Sequence, residues 1–213
     1  SLQILEAVLF DLEGDVLTLT ASDSETTIRT SLTVEDAQGA GKVAVGGKLL
    51  LETLKEFSEQ PLTFQIDEQN FGLNITSANG TYSFVGANGL EYPEMPVEEG
   101  DNTFSMPANV LLEAINKTIF CTADDELRPV MNGVYFNLDE AELTCVATDA
   151  HKLVKHTVEC ACGVKAAFIL PKKPANLLKN ILLKEEGEVK MTFDQKNVVF
   201  ELSNSTLVCR LIE

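Results

Sequence analysis

Apolar and polar residues alternate along much of this chain. In EVKMTFD, Val189, Met191 and Phe193 fall on one side of an extended backbone, and NVVFEL and STLVCRLI continue the alternation through Val199, Leu207, Cys209 and Leu211. A period of two marks strands with one buried face, which suits half-covered antiparallel sheets. Three stretches switch to helical spacing: Leu50, Leu51, Leu54 and Phe57 form one apolar stripe, Leu111, Leu112, Ile115 and Ile119 a second, and Leu177, Leu178, Ile181 and Leu182 a third. Pro107 and Pro174 sit near two helix starts, where a missing amide proton costs little. DEQN, SANG, DQKN and SNS supply the turns between strands. The pattern predicts an α+β protein.

The order of elements repeats. GKVAV, GGKLLLETLKEF, LTFQID, FGLNIT and TYSFVG, within residues 42–86 apart from the opening glycine, match AAFIL, PKKPANLLKNILL, EVKMTFD, NVVFEL and STLVCRLI in 166–212. Each copy reads as strand, helix, then three strands. A longer repeat overlies this one: an offset of 126 residues carries Val8 onto Val134, Phe10 onto Phe136, Leu12 onto Leu138, Leu17 onto Leu143 and Asp23 onto Asp149. A constant offset over this length implies one structural unit used twice. The second unit opens with NTFSMPANVLLEAINKTI from Asn102, and its counterpart would fall before Ser1. The first unit is therefore expected to lack an opening strand and helix, and to expose apolar surface where that helix would pack. EYPEMPVEEG, residues 91–100, has no periodicity and reads as a connector, giving domains at 1–97 and 98–213.

Charge adds a second asymmetry. The net charge of −17 argues against wrapping a polyanion over the whole surface. Residues 160–184, however, carry Lys165, Lys172, Lys173, Lys179 and Lys184 with no acidic residue. Lys48, Lys55, Lys117, Lys173 and Lys179 lie on the polar sides of the three predicted helices. This is either a solvated helix surface or a local polyanion contact. No apolar run approaches the roughly 20 residues of a membrane span. Five scattered cysteines suit a reducing cytoplasm better than a disulfide framework. Cys160-x-Cys162 is tighter than a zinc pair and has no second pair, so it reads as strand-end cysteines and no metal is expected.

Catalytic groups are thin. His151 and His156 are five apart, which on a strand puts them on opposite faces. Asp124-Asp125 reads as a solvated or capping pair, and Asp149-Ala150-His151 has no nucleophile beside it. No GxSxG, phosphate-binding loop or HExxH is present, so neither an enzyme nor a cofactor is expected.

Residues 123–154, ADDELRPVMNGVYFNLDEAELTCVATDAHKLV, resemble the middle domain of the bacterial sliding clamp family, the beta subunit of DNA polymerase III. The signature is Arg128-x-x-x-Asn132-Gly133 followed by Val146-Ala147-Thr148-Asp149-x-His151-Lys152-Leu153. PKKPANLLKNIL at 171–182 resembles that domain's second helix, and residues 1–90, with LTLTASDSETTI at 17–28, resemble most of the first domain. The resemblance implies a DNA-clamp fold in which three similar domains per subunit, two subunits head to tail, close a ring around duplex DNA. Helices would line the hole and antiparallel sheets the rim, and a third domain would lie beyond this chain.

The implied function is processivity: a cytoplasmic, non-enzymatic homodimer that slides on DNA without sequence preference and raises the local concentration of polymerase. The DNA polymerase III alpha subunit, the clamp loader and repair factors would insert short peptides into a groove. By motif match this chain's share of the groove is Met131, Thr148, Ala150, His151, Lys152 and Leu153. Ala150 stands where many members have glycine and Lys152 where many have arginine. The inner basic positions are Lys48, Lys172 and Lys173, to which charge and helix position add Lys55, Lys117, Lys179 and Arg128. The competing expectation is a clamp-fold module that binds proteins without encircling DNA.

Overall fold

The computed structural model describes residues 3–23, 25–94 and 102–213. The chain divides into two compact units, Ser1–Met95 and Pro96–Glu213. The expected boundary near Glu98 lies outside the described residues.

The first unit begins with a 3-10 turn, Gln3–Glu6, followed by β1 (Ala7–Glu13), β2 (Val16–Ser22), β3 (Thr26–Thr33) and β4 (Gly41–Gly46). Helix α1 (Gly47–Lys55) precedes β5 (Thr63–Ile66), β6 (Leu73–Ser77), β7 (Gly80–Phe84) and the short β8 (Gly86–Asn88). Antiparallel pairing gives the order β8-β4-β1-β2-β3 in one sheet and β5-β6-β7 in the other. Phe10, Val43, Val45, Leu50, Leu73, Ile75 and Phe84 form the core. Glu91 and Tyr92, read from the sequence as connector, belong to this unit instead. Glu91 ends a 3-10 helix at Gly89–Glu91, and Tyr92 is buried with its hydroxyl donating to the Ala7 carbonyl at 3.4 Å.

The second unit contains β9 (Asn102–Pro107), α2 (Ala108–Asn116), β10 (Gly133–Leu138), β11 (Glu142–Thr148) and β12 (Leu153–Glu159). There follow β13 (Ala166–Pro171), α3 (Lys172–Leu182), β14 (Glu188–Phe193), β15 (Asn197–Glu201) and β16 (Ser205–Arg210). Strand, helix, three strands occurs twice, as the repeat predicts. The halves exchange their first strands. β13 completes the sheet β12-β11-β10-β13, and β9 completes β16-β15-β14-β9. Helices α2 and α3 pack together, burying Leu111, Ala114 and Ile115 from one and Ala175, Leu178 and Leu182 from the other. Phe168 stacks on Phe136 at 5.1 Å and meets Phe193 at 5.1 Å, joining the two sheets through one aromatic cluster.

Two details depart from the sequence pattern. The helical stripes are narrower than expected: Leu51 is 53% exposed and Leu177 lies at the surface, while Leu50 and Leu178 are buried. Spacing gives an angle on the helix, but neighbours decide how much of that angle is covered. Conversely, β15 is buried on both faces. Phe200 and Val198 point one way with Leu207 and Cys209 opposite them; Val199 points the other way, paired with Val208 and with Thr192, which hydrogen-bonds Thr103 at 3.3 Å. The cross-strand row Thr103, Thr192, Val199, Val208 shields its own inner members.

Candidate functional site

Five of the six expected groove residues meet at the tip of the β11–β12 hairpin. The sequence there is Thr148-Asp149-Ala150-His151-Lys152-Leu153, and nearly every local polar group is spent on holding the turn. The Thr148 hydroxyl donates to the Lys152 carbonyl at 2.8 Å and accepts from the Ala150 amide at 3.2 Å. Asp149 Oδ1 accepts from the His151 and Lys152 amides, each at 3.0 Å, and Oδ2 faces Lys152 Nζ at 3.2 Å. These amides and the Lys152 ammonium hold the Asp149 carboxyl down at about 2. His151 therefore lies in a turn, not on a strand, and His156 lies within β12. What the turn presents outward is Ala150, His151, Lys152 and Leu153, with Leu153 66% exposed.

Ala150 has φ +74°, a left-handed conformation that costs a residue with a Cβ about 1 kcal/mol and glycine nothing. This turn geometry explains why glycine suits the position.

Met131 reaches the same end of the sheet by another route. It closes a 3-10 helix, Pro129–Met131, just before β10, and is half-buried. Antiparallel register, which pairs Tyr135 with Val146, sets the start of β10 beside the end of β11. The segment before it is clasped by Asn132, whose side chain donates to the Asp125 carbonyl at 2.9 Å and accepts from the Asp125 amide at 2.8 Å. Asp125 in turn caps the Leu127 and Arg128 amides and takes Arg128 Nε and Nη2 at 2.9 and 2.7 Å. Gly133 sits against β13 so closely that a Cβ would lie 2.5 Å from the Leu170 carbonyl oxygen. Asp125 caps as the reading of the Asp124-Asp125 pair expects, whereas the sequence reading assigns no positioning role to Asn132 or Asp149. The signal for the two aspartates is an acidic residue two or three places before the amides it caps.

The cations fall into two groups by position on their helices. Lys55 is in the last turn of α1, Lys179 in the last turn of α3, and Lys117 is the C-cap of α2. There they complement the negative end of the helix dipole. Lys48 is the second residue of α1, and Lys172 and Lys173 are the first two of α3, with no acidic residue in either first turn. Those positions oppose the dipole, so helix stability does not account for them. Lys172 is offset by Asp124, Oδ2 to Nζ 2.6 Å. The Asp124-Asp125 pair thus holds Lys172 and Arg128, one cation each.

Among the described residues no group of three or more histidine, cysteine or acidic side chains could hold a metal ion, and no helix is long and apolar enough to cross a membrane.

Comparison with known families decides what this arrangement resembles. Residues 1–96 match the DNA polymerase III beta subunit N-terminal domain, and residues 105–213 match the central domain of the same subunit. The chain belongs to the DNA polymerase III beta subunit family. Its α+β fold is that of a sliding clamp. The beta sliding clamp of Halalkalibacterium halodurans is 28% identical over 224 residues, covering 100% of this chain and 59% of that relative. That of Staphylococcus aureus is 28% identical over 221 residues, with 100% and 58% covered. Among solved structures, the sliding clamp from Bartonella birtlesii bound to griselimycin superposes with TM-score 0.93 at 25% identity. A putative beta subunit from Eubacterium rectale superposes with TM-score 0.89 at 26% identity; both cover 100% of this chain and 58% of theirs. The chain thus spans somewhat over half the length of these family members.

Proposed function

We propose that this chain forms two domains, 1–97 and 98–213, of a ring-shaped sliding clamp that encircles duplex DNA. In this reading it acts in the cytoplasm as a replication processivity factor with no chemistry of its own. The observation that carries the reading is similarity to beta sliding clamps along the whole chain, in sequence and in fold. Sequence-independent phosphate contacts come first from Lys48, Lys172 and Lys173, whose positions oppose the helix dipole. Lys55, Lys117 and Lys179 contribute less, since each already complements a helix C-terminal end, and so does Arg128, which is held on Asp125 through two nitrogens, whereas Lys172 meets Asp124 through one. Few and weak contacts suit sliding, because strong phosphate binding would hold the ring in place.

The hairpin tip serves as one wall of a peptide groove. Its backbone is fixed by Thr148 and Asp149, and Leu153 with Met131 offers apolar contact to short motifs of the polymerase alpha subunit, the clamp loader and repair factors. A homodimer closes the ring when the protein is full length.

The test is topological. Full-length protein loaded on circular DNA is retained until the DNA is cut and then lost from the ends. Equal loss from intact circles and linear DNA refutes encirclement and favours a clamp-fold module that binds proteins alone. In that case neutralising Lys48, Lys172 and Lys173 together leaves DNA-linked function unchanged.

A further inference from the structure

Cys160 and Cys162, which neither the fold nor the proposed function uses, lie where β12 ends and the chain turns toward β13. The backbone closes a three-residue turn there: the Cys162 amide donates to the Cys160 carbonyl at 3.0 Å. Gly163 follows at φ +67°, a conformation that glycine adopts freely. The turn is tied to the preceding hairpin, with the Cys160 amide donating to the Ala141 carbonyl at 3.0 Å and the Gly163 amide to the Glu140 carbonyl at 3.3 Å. This frame holds the two Sγ atoms 2.6 Å apart, so an approach of about half an ångström reaches bonding distance.

We propose that Cys160 and Cys162 form a reversible intramolecular disulfide by exchange with low-molecular-weight disulfides. The roles divide by exposure. Cys160 is half-buried and reachable, whereas Cys162 is 4% exposed. The Cys160 thiolate attacks one sulfur of the small disulfide, forming a mixed disulfide and releasing the first small thiolate. Cys162 then gives up its proton and attacks the Cys160 sulfur, and the second small thiolate leaves. Two protein thiols are oxidised, one small disulfide is reduced to two thiols, and the protons pass to the departing thiolates. Burial, with the Cys160 sulfur beside it, pushes the Cys162 thiol up to about 12, which suits the resolving role and not the attacking one. Cys145 is the other thiol near Cys160, but it is fully buried within β11 and burial drives its thiol strongly upward.

Trypsin isolates the pair. Cleavage after Lys155 and Lys165 releases HTVECACGVK, which contains these two cysteines and none of the other three. The folded chain is equilibrated in buffers of reduced and oxidised glutathione, alkylated, digested and weighed. The expected product is this peptide lighter by two hydrogens and unalkylated, with Cys121, Cys145 and Cys209 alkylated. Its formation constant in the folded chain exceeds that of the same synthetic peptide by at least about tenfold, equivalent to about 30 mV. Cys162→Ser traps a single glutathione on Cys160.

Three results overturn the proposal: a doubly alkylated peptide, an unresolved glutathione adduct in the parent chain, or a Cys145–Cys160 cross-link. A formation constant no higher than the free peptide's also overturns it, and that comparison does not depend on any variant folding.

Discussion

The same motif meets two different fates in the two units. FQIDEQN contributes β5 and MTFDQKN contributes β14, and both strands alternate as the repeat requires. β14 lies between β9 and β15, and Val189, Met191 and Phe193 are buried. β5 pairs with β6 alone among the described residues; all four of its residues are exposed, with Phe64 at 38% and Ile66 at 37%. Pattern therefore specifies which side of a strand is able to be buried, and the neighbouring strand and helix determine whether it is.

The largest expected effect tests this contrast directly. Phe193→Ala removes a ring packed against Phe104 and Phe168 and should destabilise the chain by about 3–5 kcal/mol. Phe64→Ala, at the repeat-equivalent region, should cost about 1–2 kcal/mol, because its ring is 38% exposed and meets one other ring, Phe10, at 6.1 Å. Urea unfolding followed by fluorescence and circular dichroism reads both; equal losses would break the comparison.

The cross-strand pairs that join the halves of each unit sharpen it. Ala7 faces Gly46 in the first unit, and Gly133 faces Pro171 in the second. Adding a methyl group as Gly133→Ala should cost about 1–3 kcal/mol, since the Leu170 carbonyl cannot retreat without moving β13. Thermal unfolding would show the loss.

A smaller effect of opposite sign is expected at the hairpin tip. Ala150→Gly relieves the left-handed strain and should stabilise by about 0.5–1 kcal/mol, the gain being reduced by the greater freedom of glycine in the unfolded chain. No gain would mean that the turn is held elsewhere.

The smallest effect is a titration. Asp149 is held at about 2, below the ordinary carboxylate value, so its contribution is complete above pH 4 and is lost as pH falls from about 4 toward 2. The protection factors of the His151 and Lys152 amides, exchange being taken relative to the intrinsic rate at each pH, should fall over that interval in the parent chain, whereas in Asp149→Ala they should already be low at neutral pH.

Much of this organisation is legible in the sequence, for identifiable reasons. Strand alternation and the helical stripes are local, and the 126-residue offset links positions that need only the printed chain. The role of Asp149 was within reach by the same offset. Its counterpart Asp23 accepts from the Glu25 and Thr26 amides at 3.2 and 2.8 Å, so both units use an aspartate to close the turn after the second strand of the half-unit. An acidic residue kept at both copies of a turn points to backbone capping rather than to catalysis with His151. The Asn132–Asp125 clasp was not legible, because it joins residues seven apart across an irregular loop with no periodicity to reveal it. Nor was the exposure of Leu51 and Leu177, which depends on what packs beside each helix. The groove residues came from resemblance to the clamp family; the hairpin explains how five of them share one turn.

Strand exchange within the second unit also imposes a schedule on synthesis. β9 pairs with β14, joining Pro107 to Glu188 and Asn102 to Phe193, more than 80 residues later in the chain. At ribosomal rates that interval is on the order of ten seconds. Throughout it Phe104 and Met106, both buried in the finished unit, have no sheet to enter. A nascent chain of this protein thus carries an unclaimed apolar strand for most of the second unit's translation, and that interval is when chaperone capture has the most to prevent.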